Sequence, residues 1–160
     1  MTDHELHEVG RFAVGAMGEP GHRVFFLQAF AQGTEVAVKC EKQQAAALAE
    51  HLVKLVADLP GDEAMVSPAE ALPPTDLVWA VGSISIGVDP TEPRVVVLLE
   101  EFVDPEESDA EPGRIRLHLT REQVLAFAGQ VDVLLASSRP LCRLCDQPID
   151  PDGHACSRLN

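Results

Sequence analysis

The stretch "EVAVKCEKQQAAALAEHL", Glu35 to Leu52, is answered later in the chain by "RIRLHLTREQVLAFAGQV", Arg114 to Val131. The two align without a gap: Val36 with Ile115, Val38 with Leu117, Cys40 with Leu119, Gln44 with Gln123, Leu48 with Phe127. Both open on a run with period-two alternation, the pattern of a strand with one buried face. Both then change period. After Cys40 the apolar residues fall at Ala45, Leu48, Ala49, Leu52, Leu55, Val56 and Leu59, a helical stripe. After Leu119, Thr120 and Gln123 have the spacing of a capping box, and Val124, Phe127, Ala128, Val131 and Leu134 continue the stripe.

Two further echoes lie upstream of each copy. "FAVGAM" (Phe12–Met17) matches "WAVGSI" (Trp79–Ile84), and "RVFFLQAF" (Arg23–Phe30) matches "RVVVLLEEF" (Arg94–Phe102). Three blocks in the same order define an internal repeat. The runs of β-branched and aromatic residues bounded by "GEPGH" and "GVDPTEP" are those of hairpin strands. Each half therefore reads as strand, strand, strand, helix. The expected fold class is α+β: two β-β-β-α repeats forming a mainly antiparallel sheet with two helices. Repeat one spans about residues 11–59 and repeat two about 77–136, within a domain of residues 1–136, and residues 137–160 form a separate tail. "PGDEAMVSPAEALPPTD" (Pro60–Asp76), with four prolines, is the expected linker between repeats. "VDPEESDAEPG" (Val103–Gly113), with five acids, is the loop joining the second and third strands of repeat two, and its charge suits a solvated loop more than a docking site.

Bulk composition narrows the partners. The 160 residues carry 12 Lys and Arg against 26 Asp and Glu, a formal charge of −14. Such a chain repels phosphate backbones and anionic lipid. With six Phe, one Trp and no Tyr, it also offers little for stacking on bases. The N-terminus has no basic stretch followed by an apolar one, and no apolar run reaches membrane-spanning length. A cytoplasmic setting is expected, in which thiols stay reduced.

That setting decides how the tail is read. Three of the four cysteines fall in "CRLCDQPIDPDGHAC", with the spacing Cys142-x2-Cys145-x8-His154-x-Cys156. A C-x2-C pair presents two thiolates to one ion, and His154 and Cys156, two apart, project to the same side of an extended segment. "DQPIDPDG" between the pairs can reverse the chain. Three thiolates and an imidazole suit one tetrahedral zinc ion, and four protein ligands mark a closed, structural site. A disulfide fits neither the compartment nor three cysteines, and a redox C-x-x-C would open a helix instead of following Pro140 and Leu141. An iron–sulfur cluster is the lesser alternative for the same thiolates. Cys40, which aligns with Leu119, reads as a core residue.

No nucleophile elbow, P-loop or dinucleotide fingerprint occurs. "GAMGEPG" (Gly15–Gly21) sits between two expected strands and reads as a hairpin turn. The histidines His4, His7, His51 and His118 have no spacing that defines a second metal site. Arg23, at the exit of the turn, and Glu41, Lys42 and Gln44, at the start of a helix, are candidate ligand-binding residues if a pocket gathers them.

"RFAVGAMGEPGHRVFFLQA", "EKQQ", the Val-Gly-x4-Gly of "AVGSISIGVD" and the ending "RPLCRLCDQPIDPDGHAC" together resemble an actinobacterial family of small proteins that is a domain of unknown function. The resemblance runs from about Arg11 to Arg158 and is most specific in the tail. Its members commonly carry proline where this chain has Arg143 and Ser157, and neither change touches a ligand. The family is often encoded beside histidine-phosphatase-like and kinase-like proteins, which implies a shared pathway and a cytosolic setting, without an activity. The expectation is a non-enzymatic, zinc-containing accessory protein that docks a protein partner. The alternative is an enzyme or small-ligand binder with a pocket between the repeats. Nucleic-acid binding through the tail is disfavoured, because Asp146, Asp150 and Asp152 offset Arg139, Arg143 and Arg158.

Overall fold

The computed structural model describes residues 3–19, 22–59, 66–107, 109–136 and 144. The tail ligands Cys142, Cys145, His154 and Cys156 lie outside the described residues. The elements in chain order are β1 (Asp3–Leu6), β2 (Val9–Met17), β3 (Val24–Ala31), β4 (Thr34–Cys40), α1 (Lys42–Val56), β5 (Val81–Val88), β6 (Val95–Glu101), β7 (Arg114–Leu119) and α2 (Arg121–Ala136). The class is α+β, with two β-β-β-α units preceded by one short strand. The strands divide into two sheets instead of the single one anticipated: β2-β3-β4 and β1-β7-β6-β5. Among the named strands the pairings are antiparallel except that of β1 with β7.

The division follows from alternation. Phe12, Leu27, Ala29, Val36 and Val38 of one sheet meet Leu99, Ile115 and Leu117 of the other around a residual space of about 10 Å³. That is at the limit of what one water needs, so the sheets interdigitate dry. Each sheet is also tied to the other along its margin. β1 leads into β2 after only two residues while pairing with β7. In the other half, the Val78 amide donates to the Ala37 carbonyl and the Lys39 amide to the Trp79 carbonyl, just ahead of β5. The loop between β3 and β4 is a two-residue turn with Gln32 and Gly33 at φ 51° and 78°, the left-handed pair that matches strand twist.

The two units share one register. Phe25 faces Cys40 as Val95 faces Leu119, and Ala29 faces Val36 as Leu99 faces Ile115, in accord with the ungapped alignment of the third block. The first two echoes are corrected. The β2–β3 pairing skips Gly10 and the β5–β6 pairing skips Gly82, so a one-residue bulge follows Val9 in one unit and Val81 in the other. Val9-Gly10-x4-Gly15 therefore corresponds to Val81-Gly82-x4-Gly87, and Phe12 to Ile84 instead of Trp79. The second block moves by one, setting Phe25 against Val95. Each strand carries glycines five apart, and the sequence echo had matched the second of one pair to the first of the other.

Both helices are capped and anchored by the same device. The Glu41 amide donates to Gln44 Oε1 at 2.8 Å, and the Thr120 amide to Gln123 Oε1 at 2.9 Å. Each glutamine then crosses to the other unit. Gln44 Nε2 donates to the Val81 carbonyl at 3.2 Å, and Gln123 Nε2 donates to the Val9 carbonyl. The helices bury Leu48, Leu52 and Val56 of α1 and Val124, Phe127 and Val131 of α2. Removing either amide breaks one cap bond and one inter-unit bond, at about 0.5–1.5 kcal/mol for each and about 1–3 kcal/mol for the two. Gln44→Leu and Gln123→Leu should each lower unfolding free energy by about that amount in urea titrations, with the m-value unchanged.

Candidate functional site

Two places on this frame gather chemistry. The first lies on the outer face of the β1–β7 pair. On β7, Ile115, Leu117 and Leu119 point to the core, which turns Arg114, Arg116 and His118 outward. β1 runs parallel beside it, with Glu5 at the register of Arg116 and Leu6 at that of Leu117. Glu5 Oε1 lies 3.4 Å from His118 Nε2 and 3.4 Å from His7 Nε2. The two imidazoles stack with centroids 4.3 Å apart and planes inclined by 25°. His118 is buried although it faces outward, because these side chains cover it. Its other nitrogen, Nδ1, faces Asp89 Oδ2 at 3.9 Å. Asp89 is fixed by Thr91, whose amide and hydroxyl donate to Oδ1 at 2.8 and 2.7 Å. Those bonds, the backbone one foremost, hold the Asp89 carboxyl below its ordinary range.

The second place is a pair of equivalent grooves between each helix and the first strand of the other unit. Between α2 and β2 the groove is filled. Phe12 stacks on Phe127 at 4.5 Å, and the segment Pro68–Leu72 lies over them in extended form. The Ala69 amide donates to the Ala126 carbonyl at 3.0 Å, and Glu70 bridges Val14 in parallel. The Leu72 amide donates to the buried Gln28 side chain at 2.9 Å, which returns a bond to the Leu72 carbonyl at 3.1 Å. Thr75 is held in turn by Glu35. Much of the expected linker is thus a bound peptide.

Between α1 and β5 no described residue fills the corresponding groove. It has a volume of about 260 Å³ and is lined by Gln44, Ala47, Leu48, His51, Ile84 and Ile86. These stand where Gln123, Ala126, Phe127, Gln130, Phe12 and Val14 stand in the other half. Two glycines record the contrast. A Cβ on Gly15 would come within 2.7 Å of Ala71 Cβ, whereas a Cβ on the equivalent Gly87 meets nothing within 4 Å.

Of the candidate ligand-binding residues, Gln44 lines this groove. Glu41 and Lys42 are exposed at the start of α1, and Arg23 is half-buried ahead of β3. Glu41 and Gln44 meet through the helix cap. Cys40 is a core residue, and burial, with Glu41 adding to it, pushes its thiol up to about 12. His7 and His118, which no sequence spacing connects, are brought together by the parallel pairing of the first and last strands. The periodicity of β7 marks His118 as outward. Nothing local marks β1 as its neighbour.

These features define a class: a two-unit α+β protein in which one inter-unit groove holds the chain's own peptide and its counterpart is unfilled among the described residues. The chain belongs to the family described as proteins of unknown function, DUF3090, whose profile matches residues 4–156. No curated protein and no solved structure matches it. Among the described residues no helix is long and apolar enough to cross a membrane.

The Cys40 shift has a sign. The folded state favours the neutral thiol, so this stabilisation is complete below the unfolded thiol value of about 8.5 and is lost as pH rises toward about 12. Cys40 should resist iodoacetamide at pH 8 until the protein is unfolded. Cys40→Ala should flatten the alkaline loss of stability. Rapid native alkylation of Cys40 would contradict its burial.

Proposed function

We propose that the protein is a non-enzymatic accessory protein that docks an extended peptide of a protein partner in the α1–β5 groove. The carrying observation is the filled groove of the other half, where Pro68–Leu72 shows how this fold takes an extended segment. An incoming strand would lie along β5 as Glu70 lies along β2, give an amide to the Ala47 carbonyl and lay small apolar side chains over Leu48, Ile84 and Gly87. Main-chain bonds would supply affinity, and the apolar floor would select small residues such as those of "PAEAL".

One structural zinc ion on Cys142, Cys145, His154 and Cys156 shapes the C-terminal tail into a second part of the docking surface. The setting is cytoplasmic, and the charge of −14 turns away nucleic acid and membranes as partners. A second reading, an enzyme or small-ligand binder between the repeats, draws on the same groove, whose polar linings among the described residues are Gln44 and His51. Arg23, Glu41 and Lys42 do not line it. The peptide reading is favoured because the equivalent groove holds a peptide.

Two measurements test this. A synthetic peptide with the sequence of residues 67–76, added to methyl-labelled protein, should shift the Ile84 and Ile86 resonances. Gly87→Val, which fills open space, should abolish the shift without unfolding the chain. Unmoved Ile84 and Ile86 resonances at saturating peptide would refute the groove. For the tail, metal analysis of reduced protein should find zinc, and Cys142→Ser should lower it by about one equivalent per chain. Unchanged zinc in that variant would refute the tail site.

A further inference from the structure

We propose that Glu5, His7 and His118 form a second metal site, for a divalent cation of the zinc class, separate from the cysteine tail and independent of the docking function. The distances are those of a ligand set, and the stacked rings, inclined by 25°, would swing apart through the exposed His7 to aim both nitrogens at one ion. A zinc ion bound at about 2.0–2.2 Å by nitrogen and oxygen holds neighbouring tetrahedral ligand atoms about 3.3–3.6 Å apart. Glu5 Oε1 lies 3.4 Å from each Nε2, and all three atoms fall within 4.8 Å of one another. The 3.4 Å contact of His118 Nε2 with Glu5 Oε1 is a long hydrogen bond, which a bound ion would replace. An octahedral magnesium site would need closer edges and harder ligands, so two imidazoles and one carboxylate favour zinc or its first-row neighbours.

The support behind His118 points the same way. A metal-binding imidazole commonly turns its second N–H to a carboxylate, which fixes the tautomer and raises basicity. Asp89 Oδ2 lies 3.9 Å from His118 Nδ1, and Asp89 is itself held by Thr91, so a carboxylate stands behind His118 and needs to close by less than an ångström to accept its second N–H. The fold does not call for these residues. With Val9 set against Val81 and Cys40 against Leu119, the equivalents of Glu5, His7 and His118 are Leu77, Trp79 and Lys39, which cannot hold a cation. His7 and Glu5 are more than half exposed, so a fourth position is open to water. The ion would clamp the four-residue strand β1 to β7 and leave one exchangeable ligand.

The test uses untagged, full-length protein loaded with zinc, and separately with cobalt(II), whose thiolate charge-transfer band reports only the cysteine site. His7→Ala removes a largely exposed side chain and should leave folding intact. It should lower bound zinc by one equivalent and leave the thiolate band unchanged, whereas Cys142→Ser should lose the band and keep the second equivalent. Asp89→Asn should weaken the second ion about 10–100-fold. Zinc stoichiometry and affinity that are the same in wild type and His7→Ala would overturn the site.

Discussion

The fold depends on two side-chain amides. Gln44 and Gln123 each close the first turn of their own helix and then bond to the carbonyl just before a bulge in the opposite unit. A helix start leaves amides without intrahelical partners, and a bulge interrupts the ladder of its strand. One glutamine answers both needs, and it does so across the boundary between units. Because α1 is tied to β5 and α2 to β2, each helix is positioned by the strands of the unit it does not belong to. The two grooves, and what fills or vacates them, follow from that exchange.

The halves share a frame and have diverged in what they hang on it. Where one has the stacked pair Phe12 and Phe127, the other has Ile84 and Leu48, which leave the groove roomier. Where one has His7 against His118, the other has Trp79 and Lys39. Strand-facing core positions such as Val36 and Ile115, or Val38 and Leu117, kept both size and burial. Divergence thus shows at the groove and on the outer face of the β1–β7 pair, and it reaches into the core where Phe12 answers Ile84 and Cys40 answers Leu119.

What the sequence made legible was local. Period-two runs, helical stripes and the Thr120–Gln123 spacing located β4, β7 and both helices, and their ungapped match carried the true register. The match between Phe12 and Trp79 failed because glycine dominates a weak echo, and a bulge glycine looks like any other. The separation into two sheets was hidden because β-strand alternation gives a buried face without saying what covers it. The Pro-rich stretch read as a spacer because its bonds go to Ala126 and Gln28, far along the chain. His7 and His118 were unreadable as a pair for the same reason: their contact is made by a parallel register between residues 3–6 and 114–117. The cysteine tail is the reverse case: its spacing alone suggests a site, and its ligands lie outside the described residues.

The parallel seam between the first strand and the last has a bearing on how the molecule is made. A chain emerging from the ribosome can form the β2-β3-β4 hairpins early, since all their contacts are near neighbours. β1 can find no partner until β7 has been synthesised, more than a hundred residues later. Forming that seam carries the entropy of closing a loop of more than a hundred residues, so it belongs among the late steps of folding. Until then Asp3–Leu6 and the outer flank of His118 are both unclaimed. A chain in which β7 has not yet formed is therefore distinguishable from the finished one by an unpaired β1.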